Sequence, residues 1–175
     1  DRLLCVAPQE IETSSPQYEP MMAATDPIKC HDAREQDDAI IIYTGGTTGR
    51  GKGVPLSHKN IVSNAMQLVD TVKAGPSDIH LQVSPMFHST YIKSTVFTLV
   101  GGAHAFVSEF SPQGVLEAIE RHRVTVVSLV PTTIIMTAQH DDFARYDISS
   151  LKRILYGTSP IPVEWLRRCM DSFKG

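Results

Sequence analysis

The chain has 175 residues, of which 42% are hydrophobic and 20% charged, and a formal net charge of −3. This is the balance of a soluble globular protein with one ordinary core, and it argues against a nucleic-acid partner; any anion site must be local, as around Arg50, Lys52, His58 and Lys59. No apolar run approaches the ~20 residues that span a bilayer, and the opening Asp1-Arg2-Leu3-Leu4-Cys5-Val6-Ala7 breaks at Pro8 without forming a signal peptide. Cys5, Cys30 and Cys169 are far apart, odd in number and without metal-ligand spacing, which reads as reduced thiols of a cytoplasmic protein. A first residue of Asp instead of Met suggests an N-terminus that is not native.

Residues 8–38 are rich in Pro, Ser, Asp and Glu and lack helical or strand periodicity, so 1–38 is expected to be an irregular approach segment. The ordered domain is expected over 39–175, opening on an apolar strand, Ala39 to Thr44, that runs into a loop of glycines and threonines. After the loop, Ser57 can cap a helix whose apolar residues Ile61, Val62, Ala65, Met66, Leu68 and Val69 follow helical spacing. A turn at Gly75-Pro76-Ser77-Asp78 leads to a short strand, Ile79 to Ser84, which Pro85-Met86-Phe87-His88 breaks. Ser89 to Leu99 reads as a buried helix ending at Gly101-Gly102. Strand and helix then alternate: strands His104 to Val107, Val124 to Val130 and Leu151 to Tyr156, with helices Pro112 to His122, Thr132 to Gln139 and Pro162 to Phe173. This order predicts an α/β layered fold with a mainly parallel sheet flanked by helices.

The loop Thr44-Gly45-Gly46-Thr47-Thr48-Gly49-Arg50-Gly51-Lys52-Gly53 suits a polyphosphate. Glycines let backbone N–H groups approach phosphate oxygens, threonine hydroxyls add donors, and Lys52 supplies a mobile cation. Gly46 to Lys52 fits the first part of a Walker A pattern, G-x-x-x-x-G-K. That pattern next needs Ser or Thr for magnesium and a helix that starts at the lysine. Gly53 has no hydroxyl, and Pro55 disfavours helical φ/ψ at Val54, so the Walker reading, and with it a phosphate-loop nucleotide hydrolase, fails on both counts.

The stretch from Tyr43 to Val54 instead resembles the phosphate loop of the adenylate-forming superfamily, which includes acyl-CoA and aryl-CoA ligases, luciferases and peptide-synthetase adenylation domains. Its usual form is Y-T-S-G-T-T-G-x-P-K-G-V. Gly45 replaces the commoner Ser, as in bacterial long-chain fatty-acyl-CoA ligases, and Gly51 replaces the usual Pro, which leaves the loop freer. From spacing alone Pro85-Met86-Phe87-His88 reads as a packed turn with a surface histidine, but it resembles the P-x-F-H segment of the CoA-ligase and luciferase types, which favours the functional reading. Tyr156-Gly157-Thr158-Ser159-Pro160-Ile161 resembles the G-G-A-P-L segment, whose small residues lie flat against adenine; otherwise it is an ordinary β-α turn. Phe110-Ser111-Pro112-Gln113, Val124-Thr125 and Val130-Pro131-Thr132 repeat a family pattern read as scaffold.

The resemblance implies a partial N-terminal domain of a fatty-acyl-CoA ligase, running from about residue 38 to the end. It implies MgATP, a carboxylic acid and CoA as small-molecule partners, and a reaction through acyl-adenylate. By the same resemblance Thr44, Gly45, Gly46, Thr47, Thr48, Gly49 and Lys52 hold phosphates, and Thr44 also reaches Mg2+. Gly157, Thr158, Ser159 and Pro160 meet adenine, while His88 and Lys52 are the catalytic candidates. The family's downstream Tyr-Gly-x-Thr-Glu segment and C-terminal lysine domain do not occur before Gly175, so the chain is expected to be part of a larger ligase and inactive alone. The competing expectation is a non-catalytic nucleotide-binding module. His140-Asp141-Asp142, Asp37-Asp38, His104, His122 and Trp165-Leu166 read as solvated or core residues without a chemical role.

Overall fold

The computed structural model describes residues 18–27, 29, 32–45 and 51–173. The chain forms two units, Asp1–Ala33 and Arg34–Gly175. The first holds a six-residue helix, α1 (Tyr18–Ala23), which corrects the expectation that 8–38 carries no regular structure. Pro20 sits in its first turn, where a missing N–H costs nothing, and Thr25 Oγ1 donates to Met21 O at 2.6 Å beyond its end.

The second unit opens with an antiparallel hairpin, β1 (Asp38–Thr44) and β2 (Lys52–Ser57), paired from Asp38↔Ser57 to Thr44↔Lys52. The sequence pattern showed only its first strand, because Gly53 and Pro55 are poor strand residues; both are tolerated in a two-stranded ribbon that has free edges. Asp37 accepts from Arg34 N through its carboxylate (2.8 Å) and from His58 N through its carbonyl, so it forms the turn that leads in. β2 runs directly into α2 (His58–Val72), where Ser57 Oγ accepts from Asn60 N and Asn60 Oδ1 accepts from Ser57 N, a reciprocal cap.

The main sheet is parallel, in the order β4-β3-β5-β6, with β3 (Ile79–Gln82), β4 (Ala103–Phe106), β5 (Val126–Leu129) and β6 (Arg153–Tyr156). Between them run α3 (Ser89–Leu99), α4 (Pro112–His122) and α5 (Pro131–Ala138), and α6 (Val163–Ser172) follows β6. β3 connects toward one edge, whereas β4 and β5 connect toward the other. Right-handed crossovers then require α3 on one face and α4 and α5 on the opposite face. Two cores result. Leu81, Val127 and Leu129 pack against Leu116, Ile119 and Ile134 on the α4/α5 face, and Val126 packs against Val96, Phe97 and Ala65 on the α2/α3 face.

The α2/α3 face is unusually polar for a buried layer. His80 and Gln82 of β3 are 0% and 2% exposed, so the alternation Ile79-His80-Leu81-Gln82-Val83 marks a strand covered on both sides. His80 stacks on Phe97 with ring centroids 4.7 Å apart and meets His104, its register partner on β4, edge-on at 5.4 Å. Thr98 Oγ1 lies 2.9 Å from the His104 Nε2. α3 is amphipathic and not buried all round: Ser94, Val96 and Phe97 face inward and Leu99 is exposed. At the amino ends of the strands, Asp78 is clamped by Arg153 and by Thr125 Oγ1 (2.8 Å), while Arg153 also donates to Val72 O at the end of α2.

Candidate functional site

The Gly/Thr loop is the connection of the β1–β2 hairpin. Thr44 and Lys52 face each other in register at its two ends, both exposed, and Thr44 Oγ1 donates to Lys52 O over a long 3.4 Å. That weak bond leaves the threonine oxygen able to take another partner. A Cβ added to Gly45 would meet nothing within 4 Å, which leaves its backbone open to a ligand. Gly46, Thr47, Thr48, Gly49 and Arg50 lie outside the described residues. A Cβ on Gly53 would come within 3.1 Å of Ile41 Cγ2 and 3.5 Å of the Tyr43 ring, so this glycine makes room for its cross-strand neighbours. A strand follows Lys52 and the helix begins only at His58, an arrangement unlike a Walker loop.

The other two motifs leave the carboxyl ends of the parallel strands. β3 and β5 are neighbours whose onward connections run to opposite edges, so the sheet's switch point, where open α/β sheets place ligands, lies between them. Pro85-Met86-Phe87-His88 leaves β3 there as a turn closed by His88 N→Pro85 O at 3.0 Å. His88 caps α3 with extended backbone (φ −86°, ψ 151°) and no side-chain cap, so its exposed imidazole is free for other contacts; Phe87, 78% exposed, lies beside it. Gly157 and Thr158 leave β6, two strands away, roughly 10 Å across the sheet. Thr158 holds φ 71°, a left-handed conformation costly for a β-branched residue, and Ser159 and Pro160 continue exposed into Ile161, which is buried.

A cavity of about 360 Å3 opens at the ends of β5 and β6 beneath α2 and α3, with Gly157 and Thr158 in its wall. Leu68, Val72, Leu129 and Leu155 make it largely apolar, and Thr90, Lys93, Ser128, Tyr156 and Thr158 are the residues with polar side chains that line it. Ser128 Oγ lies 2.8 Å from His80 Nε2. Burial, with His104 alongside, pushes the His80 pKa down to about 3, so this imidazole is neutral and orients the serine without acting as its base.

The sequence profile of AMP-binding enzymes matches residues 3–175, nearly the whole chain. The chain belongs to the AMP-binding enzyme family. Among curated relatives it is similar to feruloyl-CoA synthase of Amycolatopsis sp, 34% identical over 137 residues that make up 77% of this chain and 28% of that protein. It is 36% identical to 4-coumarate–CoA ligase 2 of Oryza sativa subsp. japonica over 135 residues, 73% of this chain and 24% of the ligase. Among solved structures it resembles the amide bond synthetase McbA from Marinactinospora thermotolerans, with TM-score 0.80 and 28% identity over 99% of this chain and 34% of that one. The chain thus spans about a quarter of the length of these curated relatives.

Within this AMP-binding domain, no hydrogen bond or ring contact among the described residues joins the hairpin loop, His88 and the Gly157–Pro160 segment to one another. The cavity residues Thr90, Lys93 and Ser128 were not singled out by sequence reasoning. Thr90 and Lys93 share one face of α3 by their i, i+3 spacing just after His88, the one signal that could have found them. His140, whose Nδ1 accepts from Asp142 N at 3.2 Å, belongs to a local turn, and no group of three or more His, Cys, Asp or Glu among the described residues could hold a metal. Trp165 is half-buried under the Arg168 guanidinium, 5.2 Å away. Cys169 is buried, which raises its thiol pKa and keeps it unreactive, whereas Cys5 and Cys30 lie outside the described residues.

Proposed function

We propose that this chain is the nucleotide-loop portion of an ATP-dependent acid–thiol ligase that converts an aliphatic, fatty-type carboxylic acid to acyl-adenylate and then to acyl-CoA. The observation that carries the reading is the cleft at the strand ends, apolar enough for a hydrocarbon chain and walled by the small residues Gly157 and Thr158. In this reading residues 1–38 are an approach segment and 39–175 part of the AMP-binding domain, in a cytoplasmic protein with ATP, CoA and the acid as partners and no nucleic acid.

The chain's own groups divide the work. Backbone N–H groups of Gly45, Gly46 and Gly49, the hydroxyls of Thr44, Thr47 and Thr48, and the Lys52 ammonium hold the β- and γ-phosphates while charge moves onto pyrophosphate. Gly157, Thr158, Ser159 and Pro160 offer adenine a flat wall. His88 orients the acid; it need not remove a proton, because a carboxylic acid is already ionised near neutrality. Thr44, exposed and only weakly bonded, fits a place beside Mg2+, which would arrive with the nucleotide and neutralise phosphate charge.

Acid-dependent ATP–pyrophosphate exchange in the longer ligase tests this. Lys52→Ala is expected to lower it about 100-fold, in the range seen when one oxyanion-stabilising group is removed. The isolated chain is expected to give no exchange. Undiminished exchange in the Lys52→Ala enzyme would refute the loop assignment, and ATP hydrolysis without any acid would refute the ligase class.

A further inference from the structure

The turn after β6 carries its bulk at an unexpected position. Gly157 has ordinary backbone: among the described glycines only Gly101 holds a positive φ, and a Cβ added to Gly157 would meet nothing within 4 Å. A side chain could start there without strain or clash, so the fold itself does not call for a glycine. Thr158, the next residue, holds φ 71°, the left-handed region that glycine enters freely and a β-branched residue enters at a cost. No hydrogen bond among the described residues holds the Thr158 side chain and offsets that cost. The position that could carry a side chain is bare, and the position that resists one is branched.

Both residues line the cavity at the ends of β5 and β6, in company with Leu68, Val72, Leu129 and Leu155. Backbone strain of this kind clusters at ligand sites. Bare backbone at Gly157 leaves open a slot in which a bound group can lie. The exposed Thr158 side chain stands beside that slot and takes up width that a glycine would leave free. We propose that Thr158 is a specificity-determining residue for the acid: with Gly157 it shapes the cleft for a slim straight-chain carboxylic acid and excludes a planar aryl acid. This rests on the ligase reading above and assigns the aliphatic preference of that reading to one side chain.

The side chain and not the backbone carries this role. A peptide backbone can lie against adenine whichever residue bears it, whereas a β-branched side chain stands off from the wall and meets what fills the cavity. The aliphatic lining matches the threonine methyl and a hydrocarbon chain alike. Size is felt strongly in such a pocket, where one methylene changes kcat/KM by about 10–200-fold.

The test compares hexanoate with trans-cinnamate in acid-dependent ATP–pyrophosphate exchange by the longer ligase that carries this chain. Wild type is expected to favour hexanoate at least about tenfold in kcat/KM, and Thr158→Ala and Thr158→Gly should each lower that ratio about tenfold or more. Alanine keeps the left-handed strain and loses the bulk, so a change common to both variants comes from size and not from relieved strain. Thr158→Val, alike in shape but without the hydroxyl, should hold the wild-type ratio. Gly157→Ala should leave the thermal midpoint in place yet lower exchange with both acids at least about tenfold, because it fills the slot. Thermal midpoints of the other variants establish that they fold. A ratio unmoved by alanine and glycine, a ratio that valine lowers as far as alanine does, undiminished exchange in Gly157→Ala, or a wild type that favours cinnamate overturns the assignment and leaves the ligase reading intact. Exchange with neither of these acids nor any other overturns both.

Discussion

Acidification tests the buried histidine layer most directly. His80 is fully buried, its Nδ1 has no partner among the described residues, and only Ser128 Oγ reaches its Nε2. Burial, and after it the neighbouring His104, lowers its pKa from 6.5 to about 3. The unfolded chain therefore takes up the proton first, so the stability contribution is whole above pH 6.5 and is lost progressively as pH falls toward 3. Each pH unit in that window costs about 1.4 kcal/mol, hence about 2 kcal/mol at pH 5, a sizeable part of the 5–15 kcal/mol typical of a domain. With a urea slope near 2 kcal/mol/M, the unfolding midpoint should drop by about 1 M between pH 7.5 and pH 5. His104, also lowered by burial, adds to the loss in the same direction. Asp78 contributes with the same sign but only below the ordinary carboxylate value of 3.8, outside this comparison: burial raises its pKa, and hydrogen bonds from Arg153, Thr125 and Gly75 outweigh that and lower it. His80→Gln keeps a polar group near Ser128 and removes the titration, so its pH dependence should be clearly shallower than that of wild type. Equal slopes for the two proteins, or a His80 ring that titrates near 6.5 by NMR, would refute the argument.

Three further substitutions probe other parts of the frame. Arg153→Met strips the partner from the buried Asp78 carboxylate and should cost about 3–5 kcal/mol in urea unfolding, with Asp78→Asn in the same chain restoring much of it. Ser57→Ala removes the α2 cap and should cost about 1 kcal/mol by the same assay. Thr158→Gly relieves the left-handed backbone at φ 71° and should raise the thermal midpoint, by an amount equivalent to about 1 kcal/mol; a lowered midpoint would mean that the threonine side chain contributes more than its strain costs.

The parallel sheet and its helices were legible because β-branched runs and capped amphipathic segments alternate in the second half of the chain. Strand ends differ from expectation by one to two residues, as at Val126–Leu129, where the preceding Thr125 is a bend that still donates to Ile79 O and accepts from Lys152 N. β2 was not legible: Gly53 and Pro55 speak against a strand, and only the pairing with Ile41 and Tyr43 explains the glycine. The buried roles of His80, Gln82 and Arg153 were hidden for a related reason. Each is polar, and the partners of His80 and Arg153, Ser128 and Val72, lie 48 and 81 positions away, which no local pattern can reveal.

The motifs were legible one at a time and the cavity was not, a difference that bears on how substrate choice is encoded. Loop and turn motifs are contiguous because backbone N–H groups must converge on phosphate or clear a flat ring, and this constrains neighbours in sequence. A cavity wall draws one or two residues from each of several elements: Leu68 from α2, Thr90 and Lys93 from α3, Ser128 from β5, Leu155 from β6. Each could change without disturbing the hairpin loop, since the hairpin forms a sheet of its own and none of these residues belongs to it. On the function proposed above, residues that handle nucleotide can then stay constant while the wall that meets the acid changes.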